Sequence, residues 1–197
     1  MKNFLRVFAS LAVFAVLVGS ASPARAESAE TYLKAKQAQL AALVTQSGPE
    51  SDKKLTATFD EVLDYDALAK DSLGDNWEKL KPEERKQFQE LLTTLVQRAY
   101  TKNIRDTLAY DITFKGEQDA ARGKLVRTVA KHKTDQRKEP IAIDYLAHEV
   151  GGKWRVLDIV TEGSSLVGNY KSQFKRIIDK SNFSGLIEKM KLKVAEK

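Results

Sequence analysis

Several residue types that carry chemistry are absent or scarce in this sequence. The 197 residues include no cysteine, which excludes a disulfide framework, a thiol nucleophile, a cysteine-ligated zinc site and a lipid anchor on an N-terminal cysteine. The two histidines, His132 and His148, fall on different predicted strands with no carboxylate at metal-ligand spacing. With only 10 glycines and 4 prolines, the chain is neither collagenous nor of low complexity. Its 42% hydrophobic and 30% charged residues indicate a globular protein.

Long apolar runs are also missing, except for one at the N-terminus. Lys2 and Arg6 precede an apolar run over residues 7–19, and small residues in an Ala-x-Ala arrangement follow over 22–26. The run of 13 residues would cover about 20 Å as a helix, whereas a bilayer core is about 30 Å thick. We therefore predict a cleaved secretory signal over residues 1–26 rather than a membrane anchor.

Removal of that segment changes the charge of the protein. The segment holds three basic residues and no acidic one, so 30 basic and 27 acidic residues are left and the net charge is +3. So mild an excess of positive charge does not predict binding to nucleic acid. It leaves anionic lipid and acidic protein surfaces as alternative binding partners. We expect residues 27–197 to form a single exported domain.

Hydrophobic periodicity predicts that the first half of the mature chain, about residues 28–109, is helical. Apolar residues recur at spacings of three and four over about 28–44, 52–62 and 65–73. A long helix with a broad apolar face then begins at Pro82, because proline suits the first turn of a helix.

The period of the pattern changes to two over about residues 110–160. This alternation predicts four consecutive strands in an antiparallel meander, with the Gly151-Gly152 pair as the last hairpin turn. Helical spacing returns over about 164–195, with an interruption at Ser181-Asn182. Helices, then a sheet, then helices indicate an α+β fold.

Catalytic motifs are missing from the sequence. There is no His-Glu-x-x-His, no Gly-x-Ser-x-Gly, no P-loop and no dinucleotide glycine pattern. Asp158 and Glu162 flank the end of the last predicted strand and could serve acid–base catalysis if one were buried with a raised pKa. The structural interpretation is that Asp158 pairs with Arg122 or Arg127 and that Glu162 organises the turn into the next helix.

Wide apolar faces are the most unusual feature of the chain. They occur on the long helix, on both sides of several strands and on the last helices. Either they fill a packed core or they line a cavity for an apolar ligand. Periodicity does not separate these two interpretations, because a residue facing a ligand and one facing a core show the same spacing.

Two stretches of the sequence match a known family pattern. Residues 154–178 follow the form W-x-V-x-D-x-x-x-E-G and then S-L-x-x-N-Y-x-x-Q-F-x-x-I-I, and residues 64–77 match as well. The matching positions of the long motif are Trp154, Val156, Asp158, Glu162, Gly163, Ser165, Leu166, Asn169, Tyr170, Gln173, Phe174, Ile177 and Ile178. The chain resembles the MlaC family, also called the toluene-tolerance family, of periplasmic phospholipid-binding proteins.

The resemblance implies a fold and a function. The implied fold is a curved antiparallel or mixed sheet, similar to that of nuclear transport factor 2, backed by several helices with an apolar cavity between them. The implied protein needs no cofactor, catalytic residue or metal, and its cargo is phospholipid. Its implied partners are an inner-membrane ABC transporter complex with a lipid-binding membrane subunit, and an outer-membrane lipoprotein–porin complex. Shuttling between them would maintain the lipid asymmetry of the outer membrane.

Three alternatives stay open at this point. One is a carrier for another amphiphile such as a hopanoid, and another is an enzyme of similar fold that uses Asp158 or Glu162. The third is a protein-interaction module with a filled core.

The cavity wall is expected to combine the broad helix faces with the inward side of the sheet. The residues expected to line it are Leu73, Leu92, Val96, Tyr100, Ile104, Val126, Ile143, Tyr145, Val156, Val160, Leu166, Tyr170 and Phe174. Arg122 and Arg127 are expected to be structural or close to the lipid headgroup. Because a charge on the face of an apolar strand needs a partner, Arg127 is expected to pair with Asp158 or Asp144.

Overall fold

The computed structural model describes residues 27–46 and 48–196, and it has the predicted α+β architecture. The α-helices of this part of the chain are α1 (Ala29–Val44), α2 (Pro49–Val62), α3 (Tyr65–Leu73), α4 (Pro82–Asn103) and α5 (Leu166–Ala195). Short 3₁₀ segments follow α3 and α4, over Gly74–Lys79 and Ile104–Ala109. The predicted signal over residues 1–26 lies outside the described residues. None of the described helices has the length and apolar character needed to cross a bilayer.

Capping residues and prolines fix where the helices begin. The hydroxyl of Ser28 accepts a hydrogen bond from the backbone N–H of Thr31, as expected of an N-cap. Pro49 begins α2 earlier than the periodicity predicts, and Pro82 begins α4 as predicted. Proline suits both positions, because its missing N–H would have no partner in the first turn.

The sheet is an antiparallel meander. Its strands are β1 (Tyr110–Ala120), β2 (Gly123–His132), β3 (Ile141–Val150), β4 (Lys153–Thr161) and the two-residue β5 (Ser164–Ser165), and neighbours in sequence are neighbours in the sheet. β1 passes through an irregularity near Gly116 without ending. A bulge between Phe114 and Glu117 absorbs the irregularity, and Gly116 there has a φ of 102°, a conformation that favours glycine.

A second bulge decides which residues of β4 face the same side. The register to β3 shifts between Val156 and Asp158, which leaves Leu157 as an extra residue. Since side chains alternate along a strand, the extra residue inverts the alternation that follows it. Val156 and Ile159 therefore face one side of the sheet, and Val160 faces the other.

The main core lies where α3, α4 and α5 pack against one another and against the sheet. Phe88 of α4 is completely buried and meets the ring of Phe174 edge to face, with 5.4 Å between the centroids. The predicted interruption of α5 is present: Asn182 has a φ of 54°, and its side chain accepts a hydrogen bond from Gly185 N–H. The change of direction there lets Leu186, which is also fully buried, reach the same core.

Candidate functional site

An apolar cavity of about 410 Å³ lies between the sheet and the helices α1, α2 and α4. This volume falls within the range of about 300–1,000 Å³ that is usual for small-molecule sites. Most of the wall is hydrocarbon, supplied by Leu33, Leu40, Ala41, Phe59, Val62, Leu63, Ile104, Leu108, Ile112, Phe114, Ile143, Val156 and Ile159. The remaining wall residues are Tyr100, Tyr110, Tyr145, Lys36, Gln37, Thr107, Asp111 and Lys133.

The sheet contributes to the wall through alternate residues of three strands. β1 presents Tyr110, Ile112 and Phe114, and β3 presents Ile143 and Tyr145. β4 contributes the two residues that its bulge places on this side. These side chains share a face because directly paired residues of antiparallel strands point to the same side of the sheet.

The opposite wall is built from helix faces. Leu33 and Leu40 lie two turns apart on α1, so both point towards the sheet. Phe59 of α2 stacks on Tyr100 of α4, with ring centroids 3.5 Å apart and planes 18° from parallel. Ile104, at the start of the 3₁₀ segment after α4, is almost completely buried against α1 and α2. The stacked rings join α2 to α4, and Ile104 joins the end of α4 to α1 and α2, beside the cavity.

Three tyrosines belong to this wall, and burial shifts the pKa of two of them. Burial raises the pKa of Tyr145 to about 12. Burial also raises the pKa of Tyr100, and the proximity of Tyr145 adds to that shift. Both phenols are therefore neutral at physiological pH and can donate a hydrogen bond.

Each of the three charged residues of the wall, Lys36, Asp111 and Lys133, belongs to an ion pair. The Lys36 ammonium pairs with the exposed carboxylate of Glu61 and holds the pKa of that carboxyl below its ordinary value. Lys133 lies 3.9 Å from Asp111, and both side chains are exposed. The Lys36 side chain is only 19% exposed, so its charge needs the partner that Glu61 supplies. The charged residues of the described wall are thus few and ion-paired, and the rest of the wall is uncharged.

Five of the residues expected to line the cavity do so: Tyr100, Ile104, Ile143, Tyr145 and Val156. Leu73, Leu92, Val96, Val126 and Phe174 are instead buried in the packed core. Tyr170 packs against that core and stacks on Phe174 at 5.4 Å, and Val160 and Leu166 are half-buried away from the wall.

These differences have two physical causes. Most of the apolar stripe of α4 is covered by α3 and α5, so only its last turns reach the cavity. Val160 faces away because the bulge in β4 inverts its direction.

Sequence reasoning missed the contributions of α1, α2 and β1. Leu33, Leu40, Ile112 and Phe114 showed the right periodicities, but nothing local indicated that α1 lies over this end of the sheet. The packing of α1 beside β1, which includes a hydrogen bond from Glu30 N–H to the Glu117 carboxylate at 2.7 Å, joins residues distant in sequence.

The two arginines lie on the surface rather than at the cavity. Arg122 pairs with Asp71 of α3 at 2.6 Å. Arg127 is exposed on the outer side of the sheet, where Asp144 is its cross-strand neighbour without an ion pair between them in the described structure. The expected pairing of either arginine with Asp158 is wrong, because that carboxylate has other partners.

Asp158 organises the start of α5. Its carboxylate accepts hydrogen bonds from the Ser165 hydroxyl at 2.5 Å and from Val167 N–H at 3.1 Å. Glu162, expected to organise this turn, accepts from the backbone N–H of Ala142 across the sheet. Neither carboxylate belongs to the cavity wall.

A second, more open cleft of about 610 Å³ lies outside the cavity, beside α3 and the end of β3. There His148 Nε2 lies 2.7 Å from the carboxylate of Asp64, whose other oxygen caps α3 through Ala67 N–H. Within residues 27–46 and 48–196, no three potential metal ligands are grouped closely enough to hold an ion.

Known proteins match this chain both in family pattern and in fold. The model of the family described as "MlaC protein" matches residues 30–192. A solved structure with a similar fold is the phospholipid-binding protein from Ralstonia solanacearum, which was determined in complex with a phospholipid. The two chains are 22% identical, and the alignment covers 86% of this chain and 98% of that one with a TM-score of 0.75. No curated protein matches the chain.

Proposed function

The chain belongs to the MlaC family, and from this premise we propose that it is a phospholipid carrier of the periplasm rather than an enzyme. The observation behind the proposal is the apolar cavity whose wall holds only a few charged residues, each in an ion pair. A phospholipid matches such a wall, with a charged headgroup and uncharged chains. The similar fold from Ralstonia solanacearum, which holds a phospholipid, supports the same proposal.

The energetics of lipid transfer explain why a carrier needs such a cavity. Each methylene group moved out of water contributes about 0.8 kcal/mol. A diacyl lipid with about 30 methylenes would therefore lose roughly 24 kcal/mol if its chains were left in water. A carrier has to enclose the chains, and an uncharged wall does so without restricting chain type.

The proposed route begins with export through the signal at residues 1–26. In the periplasm, the protein would exchange phospholipid with an inner-membrane ABC transporter complex through its lipid-binding membrane subunit. It would exchange phospholipid with an outer-membrane lipoprotein–porin complex as well, and so maintain outer-membrane lipid asymmetry. Family membership supports this route.

The proposal is tested by exporting the full chain from a Gram-negative host and purifying it without detergent. Intact mass should show a chain that begins at Glu27, and native mass spectrometry should show bound phospholipid. The purified protein should then move labelled phospholipid from donor to acceptor vesicles at a rate proportional to its concentration.

Purification without any lipid and no vesicle transfer would refute the proposal. Recovery of a hopanoid alone would favour the other amphiphile. Conversion of the lipid to a product would favour an enzyme.

A further inference from the structure

The cavity wall contains three tyrosines, and none of their hydroxyls forms a hydrogen bond to a described residue. Tyr110 meets the His132 ring at 5.0 Å, whereas Tyr100 and Tyr145 lie among apolar residues of the wall. The hydroxyls of Tyr32 and Tyr65 have protein acceptors, a backbone carbonyl and the Asp60 carboxylate, whereas those of Tyr100 and Tyr145 have none within residues 27–46 and 48–196. In this part of the chain, no side-chain nitrogen or oxygen is both fully enclosed and without a partner. The hydroxyls of Tyr100 and Tyr145 are therefore not sealed inside the protein, and both residues line the cavity.

The surroundings of these hydroxyls restrict what they can bind. Both phenols are neutral, so each is a hydrogen-bond donor, and their neighbours in the wall include Phe59, Ile143 and Ile159. A ligand that presented only hydrocarbon here would displace water from both hydroxyls and leave them unpaired. An unpaired polar group enclosed by apolar atoms is costly. The cargo should therefore carry hydrogen-bond acceptors as well as chains.

We propose that Tyr100 and Tyr145 donate hydrogen bonds to the ester carbonyl groups of the lipid cargo. The inference rests on the proposed function, since it assigns these residues a role in selecting the cargo. Ester carbonyls lie between the acyl chains and the headgroup, and they accept hydrogen bonds without carrying charge. An ether-linked lipid has the same chains and headgroup but lacks those carbonyl acceptors. The cavity consequently discriminates between ester-linked and ether-linked phospholipids.

The test uses lipid exchange from one population of vesicles. Delipidated mature protein is incubated with vesicles that contain equal amounts of dipalmitoyl and dihexadecyl phosphatidylcholine, which share a headgroup and chain length. The protein is recovered, and mass spectrometry measures the ester-to-ether ratio of bound lipid against that of the vesicles. One neutral hydrogen bond changes affinity by about two- to twelvefold. The ester-to-ether ratio of lipid bound to the wild type should therefore be at least about twice the ratio in the vesicles.

Conservative variants identify the groups responsible. Tyr100→Phe and Tyr145→Phe should each lower the ratio, and the double variant should bring it to that of the vesicles. Tyr170→Phe is the matched control: its hydroxyl also has no acceptor among the described residues, but it lies off the cavity wall, so the wild-type ratio should persist.

Equal binding of both lipids by the wild type would overturn the inference while leaving the carrier function standing. A preference that survives in the double variant would overturn it too. If the double variant did not fold, the wild-type ratio and the two single variants would decide. Failure of the wild type to bind either lipid would refute the proposed function, and the inference with it.

Discussion

Filling the cavity should remove lipid without unfolding the protein, whereas filling the neighbouring core should do the reverse. Ile143 and Val126 lie on adjacent strands and on the same face of the sheet. Ile143 lines the cavity, but Val126 has no exposed surface and belongs to the packed core. The substitutions Ile143→Trp and Val126→Trp thus place the same indole in two neighbouring sites that differ in free space.

The structure allows both effects to be estimated. At Val126 the indole meets packed atoms, and overpacking costs about 1–3 kcal/mol. For a chain of this size that lowers Tm by about 2–12 °C. At Ile143 the indole can enter the cavity, so the loss of stability should be smaller than at Val126. If it displaces about three methylenes of cargo, about 2.4 kcal/mol of binding is lost, which is about a 60-fold drop in affinity.

The assay measures two quantities on each purified variant. Thermal unfolding of delipidated protein gives the stability, and mass spectrometry gives moles of phospholipid per mole of folded protein. Wild-type lipid content in Ile143→Trp, together with a large fall in Tm, would refute the assignment of the cavity as the lipid site. Loss of lipid at unchanged stability in Val126→Trp would show that the lipid occupies the region called core here.

Three further predictions concern the residues around the cavity. Removing Arg122 should cost at most about 1 kcal/mol of unfolding free energy, because its pair with Asp71 is exposed, and lipid content should not change; a loss of lipid would place this arginine at the headgroup after all. Asp158→Ala should cost about 1–2 kcal/mol in urea unfolding, because the first turn of α5 loses two hydrogen bonds; an unchanged midpoint would contradict that role. The pKa of Tyr145 is raised to about 12 from about 10 in the unfolded chain, so its contribution to stability is intact below pH 10 and declines between pH 10 and 12 by about 1.4 kcal/mol per pH unit. Tyr145→Phe should lessen that alkaline decline in chemical-denaturation curves, and identical pH profiles would show that the phenol is not buried.

The secondary structure could be predicted from the sequence because its signals are local. The spacing of apolar residues located all five helices and the four long strands of the described chain, and the interruption at Ser181-Asn182 was visible as a break in that spacing. Capping residues and prolines near the helix ends carry their information within one turn. The family resemblance supplied the expectation of a cavity between sheet and helices, which periodicity alone left open.

The cavity wall was less predictable because it depends on packing between distant segments. The sequence shows one broad apolar face on α4, yet α3 and α5 cover most of it and leave only the last turns for the cavity. The bulge in β4 has no clear sequence signal, since Leu157 is as apolar as its neighbours, and it reverses the direction of Val160. A prediction based on strict alternation therefore gave β4 the wrong face beyond the bulge.

The small residues of β2 explain how a packed sheet leaves room for a cavity at all. Thr128 and Ala130 lie on the cavity side of the sheet. Thr128 is between Phe114 on β1 and Ile143 on β3, and Ala130 is between Ile112 and Ile141 of the same strands. Thr128 and Ala130 are almost fully buried, and neither fills much volume above the sheet. The Thr128 hydroxyl donates to the backbone carbonyl of Ile143 at 2.6 Å, so a polar group there is satisfied without entering the cavity. Large β-branched residues at these two positions of β2 would project as far from the sheet as the side chains of β1 and β3. They would reduce the space in which acyl chains could lie.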